Sequence, residues 1–127
     1  MKIGHEAAIL SPVSLATPAD VTSSANGTGV DVSAYTGQLL LTLHSAAGSG
    51  TDPTLDVKLQ DSPDNSTFTD VTGATFTQVT DAGATIESIV VEKDKVSRYV
   101  RAVLTIGGSS SPTFDCGVTL HARAASN

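Results

Sequence analysis

The longest alternation of apolar and polar residues in the chain runs over residues 96–122. It consists of an alternating run over 96–106, a Gly- and Ser-rich breaker over 107–112 and a second alternating run over 113–122, a pattern that predicts one long β-hairpin. A period of two sets Val100, Ala102, Leu104 and Ile106 on the core side, facing Phe114, Cys116, Val118 and Leu120. Tyr99, Arg101 and Val103 then share the opposite side.

Shorter runs of the same kind precede it. Over residues 38–45, Leu39, Leu41 and Leu43 alternate with Leu40, Thr42 and His44, and over 54–61 Leu55, Val57 and Leu59 alternate with Asp56, Lys58 and Gln60. Each predicts a half-buried strand with its odd-numbered residues inward. Residues 46–53 read as a flexible loop closed by Pro53, and 61–67 as a tight turn whose Asp, Asn and Ser side chains bond their own backbone. Short strands over 68–71, 76–79 and 85–92 follow, with a turn at 81–83 between the last two and a charged turn at 92–95 into the long run.

Residues 1–28 carry Ile3, Ile9, Leu10, Val13 and Leu15, but Pro12, Pro18 and the Ser/Asn/Gly-rich tail interrupt any period. They read either as an extended N-terminal arm, with one short strand, that reaches a neighbouring subunit, or as an ordinary first strand on their own sheet. The expected organisation is an arm over 1–28 and a β-sandwich domain over 29–127. Short strands with turn signals every 8–12 residues predict an all-β fold, an antiparallel β-sandwich or jelly-roll-like arrangement of roughly seven to eight strands.

Composition sharpens this picture. Ser (15) and Thr (17) make up a quarter of the 127 residues while charged residues are only 16%, a balance that favours strands and loops over helices. A formal charge of −6 with seven scattered Lys and Arg argues against a nucleic-acid partner. No apolar run approaches the roughly 20 residues that span a bilayer, so no membrane association is expected. The single Cys116 allows no internal disulfide and the N-terminal residues lack the apolar core of a signal peptide, so synthesis in a cytoplasm is expected.

Candidate chemistry is sparse. His5, His44 and His121 lie in separate segments without metal-ligand spacing, so no metal is expected. Cys116 and His121 sit five apart on one strand and point to opposite faces, which leaves Cys116 as a small core residue and no catalytic residues assigned. Asp61, Asp64, Asn65 and Asp70 are rich in oxygen but lack calcium-loop spacing, and turn chemistry accounts for them. No phosphate loop, nucleophile elbow or cofactor motif is present. The sequons at Asn26 and Asn65 have meaning only in a secreted chain. Arg98, on the side of Val96, Val100 and Ala102, sits at the sheet margin or pairs with a carboxylate such as Asp31 or Asp56. Tyr99 and Arg101 are either part of a structural ion pair or a subunit contact.

Three segments together, Val30-Asp-Val-Ser-Ala-Tyr-Thr-Gly37, Leu59-Gln-Asp-Ser-Pro-Asp-Asn-Ser-Thr-Phe68 and Val96-Ser-Arg-Tyr-Val-Arg-Ala102, resemble small β-sandwich capsid decoration (cement) proteins of tailed bacteriophages. The resemblance covers about residues 29–122 and identifies no active site. It implies a non-enzymatic virion structural protein on the outside of the capsid, partnered by the major capsid protein, homo-oligomeric as a trimer and made in the host cytoplasm. The partner contacts expected are Ile9, Leu10, Val13 and Leu15 of the arm together with Tyr99 and Arg101. An alternative is a carbohydrate- or receptor-binding β-sandwich module of a phage tail fibre or baseplate. The lack of Trp and the presence of only two Tyr, Tyr35 and Tyr99, count against that reading. A hydrolase would need a nucleophile and base pair that the chain does not display.

Overall fold

The computed structural model describes residues 10–124. Its strands are β1 (Leu10–Val21), β2 (Ala25–Asn26), β3 (Val30–Asp31), β4 (Tyr35–Ser45), β5 (Ser49–Ser62), β6 (Thr69–Thr75), β7 (Thr85–Glu92) and β8 (Tyr99–Ala124), with one 3-10 turn at Lys93–Lys95. All pairings are antiparallel. A first sheet has the order β1-β8-β4-β7, and a second has β6-β5-β8 with the two-residue strands β2 and β3 on the far side of β8. The two pack as the antiparallel sandwich that the alternation predicts.

The long run is not a hairpin. Its halves never pair with each other: residues 99–107 bond to β5, while 114–124 bond to β1 and β4. β8 is one bent strand that crosses from the second sheet to the first, the way sandwich corners are turned. The bend falls in the segment read as a hairpin turn, where Gly108 (φ 110°), Ser110 (φ 60°) and Ser111 (φ 54°) leave the extended region. β5 bends beside it through Gly50 (φ 108°) and Asp52 (φ 48°), so residues 49–53, expected in a loop, are strand and pair with Ser109 and Thr113 across two register shifts. A Cβ on Gly108 would lie 2.7 Å from the Asp52 carbonyl oxygen and one on Gly50 2.9 Å from Pro112 Cα, so each strand occupies the space that a side chain on the other would need.

The core side of β8 is the same for a hairpin and for a bent strand, because the alternation is in phase on both sides of the bend. Val100, Ala102 and Leu104 meet Leu59 and Val57 of β5, and Val118, Leu120 and Ala122 meet Leu43, Leu41 and Leu39 of β4, all of them buried. Phe114 and Cys116 are buried as expected, and Ile106 is half-buried against the same cluster. Val32, Phe76 and Val79 close the ends, the last through an isolated bridge to Leu55 where a short strand was predicted.

The segment over 10–21 is extended and pairs along its length with β8, from Leu10 opposite Arg123 to Val21 opposite Phe114. Of the two readings of the N-terminal region, these residues take that of a first strand on their own sheet. Bulges at 14–16 and 16–19 absorb Pro18, whose missing N–H needs an edge position.

Leu41, fully buried between β7 and β8, is expected to cost about 3 kcal/mol when truncated to Ala. Gly108→Ala is expected to cost at least about 1 kcal/mol through strain and backbone crowding. Urea unfolding of each variant against wild type measures both effects.

Candidate interaction surface

The sandwich has two outer faces, and they differ in how far their polar groups are already satisfied. On the second sheet, Arg101 Nε and Nη2 donate to Gln60 Oε1 at 3.0 and 2.8 Å, with the guanidinium 4.0 Å above the centre of the Phe68 ring. Gln60 Nε2 donates in turn to Asp70 Oδ1 at 2.9 Å, and Lys58 Nζ donates to Asp70 Oδ2 at 3.0 Å. Asp56 accepts from Gln78 at 3.1 Å. At the margin Arg98 pairs with Asp31 at 2.9 Å, one of the two carboxylates proposed for it, and lies 5.2 Å over the Tyr99 ring. Apart from the part-buried Arg101–Gln60 pair, these interactions are exposed and individually weak. Together they leave this face with its hydrogen-bonding groups engaged within the subunit.

The outer face of the first sheet is different. Register aligns three rows across β7, β4 and β8: Val90, Leu40 and His121; Ser88, Thr42 and Thr119; Ile86, His44 and Gly117. Leu40 (38% exposed), Ile86 (69%) and Val90 (54%) are the large exposed hydrophobics among the described residues. Thr42 Oγ1 and Ser88 Oγ, 3.0 Å apart, share one hydrogen bond. No carboxylate, Lys or Arg occupies the nine positions; the charges lie beyond them, at Glu92 and Arg123 at one end and Asp115 at the other. Glu92 accepts from Gln38 Nε2 at 2.8 Å. A shallow concavity lies between Gln38, Leu40, Val90, His121 and Arg123. His121 Nδ1, in its wall, is the buried side-chain nitrogen without a hydrogen-bond partner among the described residues. A centre without carboxylate, Lys or Arg, which carries exposed hydrophobics among hydroxyls and imidazoles inside a charged border, has the charge depletion found in protein interfaces.

This patch was not among the sequence-predicted contacts. Leu40 falls on the outward side of its strand by alternation, and the apolar run Ile89-Val90-Val91 breaks the alternation of β7; an apolar residue on a face that should be polar is the signal that could have found it. Of the expected contacts, Ile9 lies outside the described residues, and Leu10 pairs through its backbone with Arg123. Leu15 is core at 4% exposure and Val13 packs against the same cluster, so both are engaged within their own subunit while β1 stays in place. Tyr99 and Arg101 are half-buried on the second sheet, where Arg101 is held by Gln60 and Phe68.

The remaining polar candidates serve the backbone. Asp64 accepts from the backbone N–H groups of Ser66 and Thr67 and from the Ser62 hydroxyl, which makes the 61–67 turn the self-bonded structure expected. Asp61 accepts from Ser97 N at 2.7 Å. Cys116 is buried, which pushes its thiol pKa up, with Asp115 adding to the effect. It lies on the inner face of β8 while His121 lies on the outer, as the spacing predicted.

No family model and no curated protein matches the chain. Solved structures do. The structure of infectious bursal disease virus Gx strain is similar to it at a TM-score of 0.61 and 9% identity, over 93% of this chain and 33% of that one. The infectious bursal disease virus VP2 subviral particle is similar at a TM-score of 0.53 and 12% identity, over 88% and 31%. The Gt strain of the same virus gives a TM-score of 0.53 and 10% identity, over 90% and 33%. The chain thus spans about a third of the length of the chains it matches. At these identities the likeness is one of fold, an antiparallel β fold that also occurs in protein chains of virus particles.

Three carboxylates are expected to titrate below the usual range. Arg98 and then Ser33 hold Asp31 low, the Thr67 backbone N–H and Ser62 hold Asp64 low, and Gln60 and Lys58 hold Asp70 low. With folded-state pKa values depressed, their stabilisation is present above the unfolded carboxylate value of about 3.9 and is lost as pH falls through the lower folded values. Carbon-detected NMR titration is expected to show all three ionised below pH of about 3.9, with Asp31 returning toward that value in Arg98→Ala.

Proposed function

We propose that this chain is a non-enzymatic virion structural protein that decorates the outside of a capsid and stabilises it. The observation that carries the reading is the fold: over nine-tenths of the chain superposes on a third of a chain from a virus particle. Three strand-and-turn segments that resemble phage decoration proteins agree with it. So does the chemistry: the lone cysteine is buried with a raised pKa, and the side-chain hydrogen bonds of the second sheet hold turns and faces in place rather than converge on a cavity.

In this reading the partner is the major capsid protein, the location is the capsid surface, and the functional unit is a homotrimer. Decoration stabilises by linkage. A protein that binds adjacent shell subunits only when they are assembled shifts the equilibrium toward the assembled state, and three linked copies make weak single contacts tight.

Mixed with genome-filled particles that lack it, the chain is expected to co-sediment with their shells at a fixed ratio and to raise the temperature at which the particles release their genome. Failure to sediment with shells, together with unchanged thermal release, overturns the proposal.

A further inference from the structure

The outer face of the first sheet gathers the large exposed hydrophobics of the described residues, Leu40, Ile86 and Val90. Resting on the decoration reading above, we infer that this face, centred on Leu40, Ile86 and Val90, is the surface that docks on the shell, and that its partner is a neutral, apolar patch of the shell exterior. The second sheet then faces solvent.

Charge gives the first argument. The chain carries −6 overall, yet the three central rows of this face hold no carboxylate and no Lys or Arg. A strongly basic partner would find nothing to pair with at the centre, whereas an apolar one loses little on docking. The Thr42 and Ser88 hydroxyls share one hydrogen bond, which keeps one of their two O–H donors paired when the middle row is dried. No Trp, Tyr or Phe stands in the central rows, which removes the large stacking platform that a sugar ligand uses.

Area decides between a second copy and a shell. Four strands about 4.8 Å apart and some eight residues long at about 3.4 Å each give a face of about 500 Å². A stable pair of proteins buries about 800 Å² on each partner. Two copies meeting through this face alone would associate weakly. The same face presented several times by one oligomer to a repeating shell gains the missing affinity through linkage. Edge pairing by β7 is restrained as well: Glu87, half-buried on its inner side, accepts from the Thr77 backbone N–H at 2.8 Å, an inward-pointing charge of the kind that blunts sheet edges.

The test compares shell binding by wild type, by the double variant Ile86→Asp/Val90→Asp, and by Lys58→Glu on the opposite face, in the sedimentation assay above. The double variant is expected to bind shells about 30-fold more weakly or worse, the loss that hot-spot side chains produce, and Lys58→Glu to bind as wild type. Both substituted hydrophobics are exposed, and a far-UV circular dichroism spectrum confirms that the fold is kept. Independently, Ser88→Cys labelled with a bulky maleimide is expected to lose binding, and Thr105→Cys labelled in the same way on the second sheet to retain it; buried Cys116 does not compete for the label. Equal binding by wild type and the double variant overturns this inference and leaves the decoration reading standing. A change in the solution mass of the double variant also overturns it, because the face is then a contact between copies. If wild type itself does not bind shells, both fall.

Discussion

Everything in this sandwich hangs on the crossing of two bent strands. β5 and β8 turn together where Gly50 lies against Pro112 and Gly108 against the carbonyls of Thr51 and Asp52, with no room for a side chain at either glycine. Only because β8 bends there can one strand pair with β5 in one sheet and with β1 and β4 in the other. The shared strand fixes the two sheets face to face, so leucines from β4 and β5 pack into one core. It also fixes which sides point outward. Without the bend the inward and outward faces would have no common definition, and neither the satisfied network around Gln60 nor the bare rows around Leu40 would exist as surfaces.

Strand identity, the inward residues and the fold class were legible in the sequence because a period of two needs only local information. Leu39, Leu41 and Leu43, then Leu55, Val57 and Leu59, are buried as the alternation required. Partner choice was not legible. A glycine- and serine-rich break between two alternating runs has the same pattern whether the chain reverses as a hairpin or bends and continues in another sheet, and the outcome rests on which strand supplies the next row of hydrogen bonds. Residues 49–53 were misread for the same reason: Gly50, Asp52 and Pro53 look like a loop until their partners at Ser109 and Thr113 are known.

The candidate surface shows a related limit. Arg98, Tyr99 and Arg101 drew attention because Tyr and Arg are common at interface centres, yet in the folded chain Arg98 is paired with Asp31, and Arg101 is held by Gln60 and stacked on Phe68. What makes a surface available is the absence of partners within the subunit, and absence is a property of the fold. Leu40 and Val90 could be seen as misplaced hydrophobics in the sequence, but that they are cross-strand neighbours, with Ile86 two rows away along β7 and no charge between, follows only from the register of β4 with β7.

The proposed role is that of an accessory of an assembled shell, attached by the outer face of the first sheet. Hydrogen–deuterium exchange of the free protein and of the protein bound to shells tests it most directly. Amides of β7 and of the adjoining outer rows of β4 are expected to gain protection on binding, with the β5–β6 turn at 61–67 unchanged. Protection confined to β5, β6 and that turn, with β7 exchanging as freely as before, would contradict it.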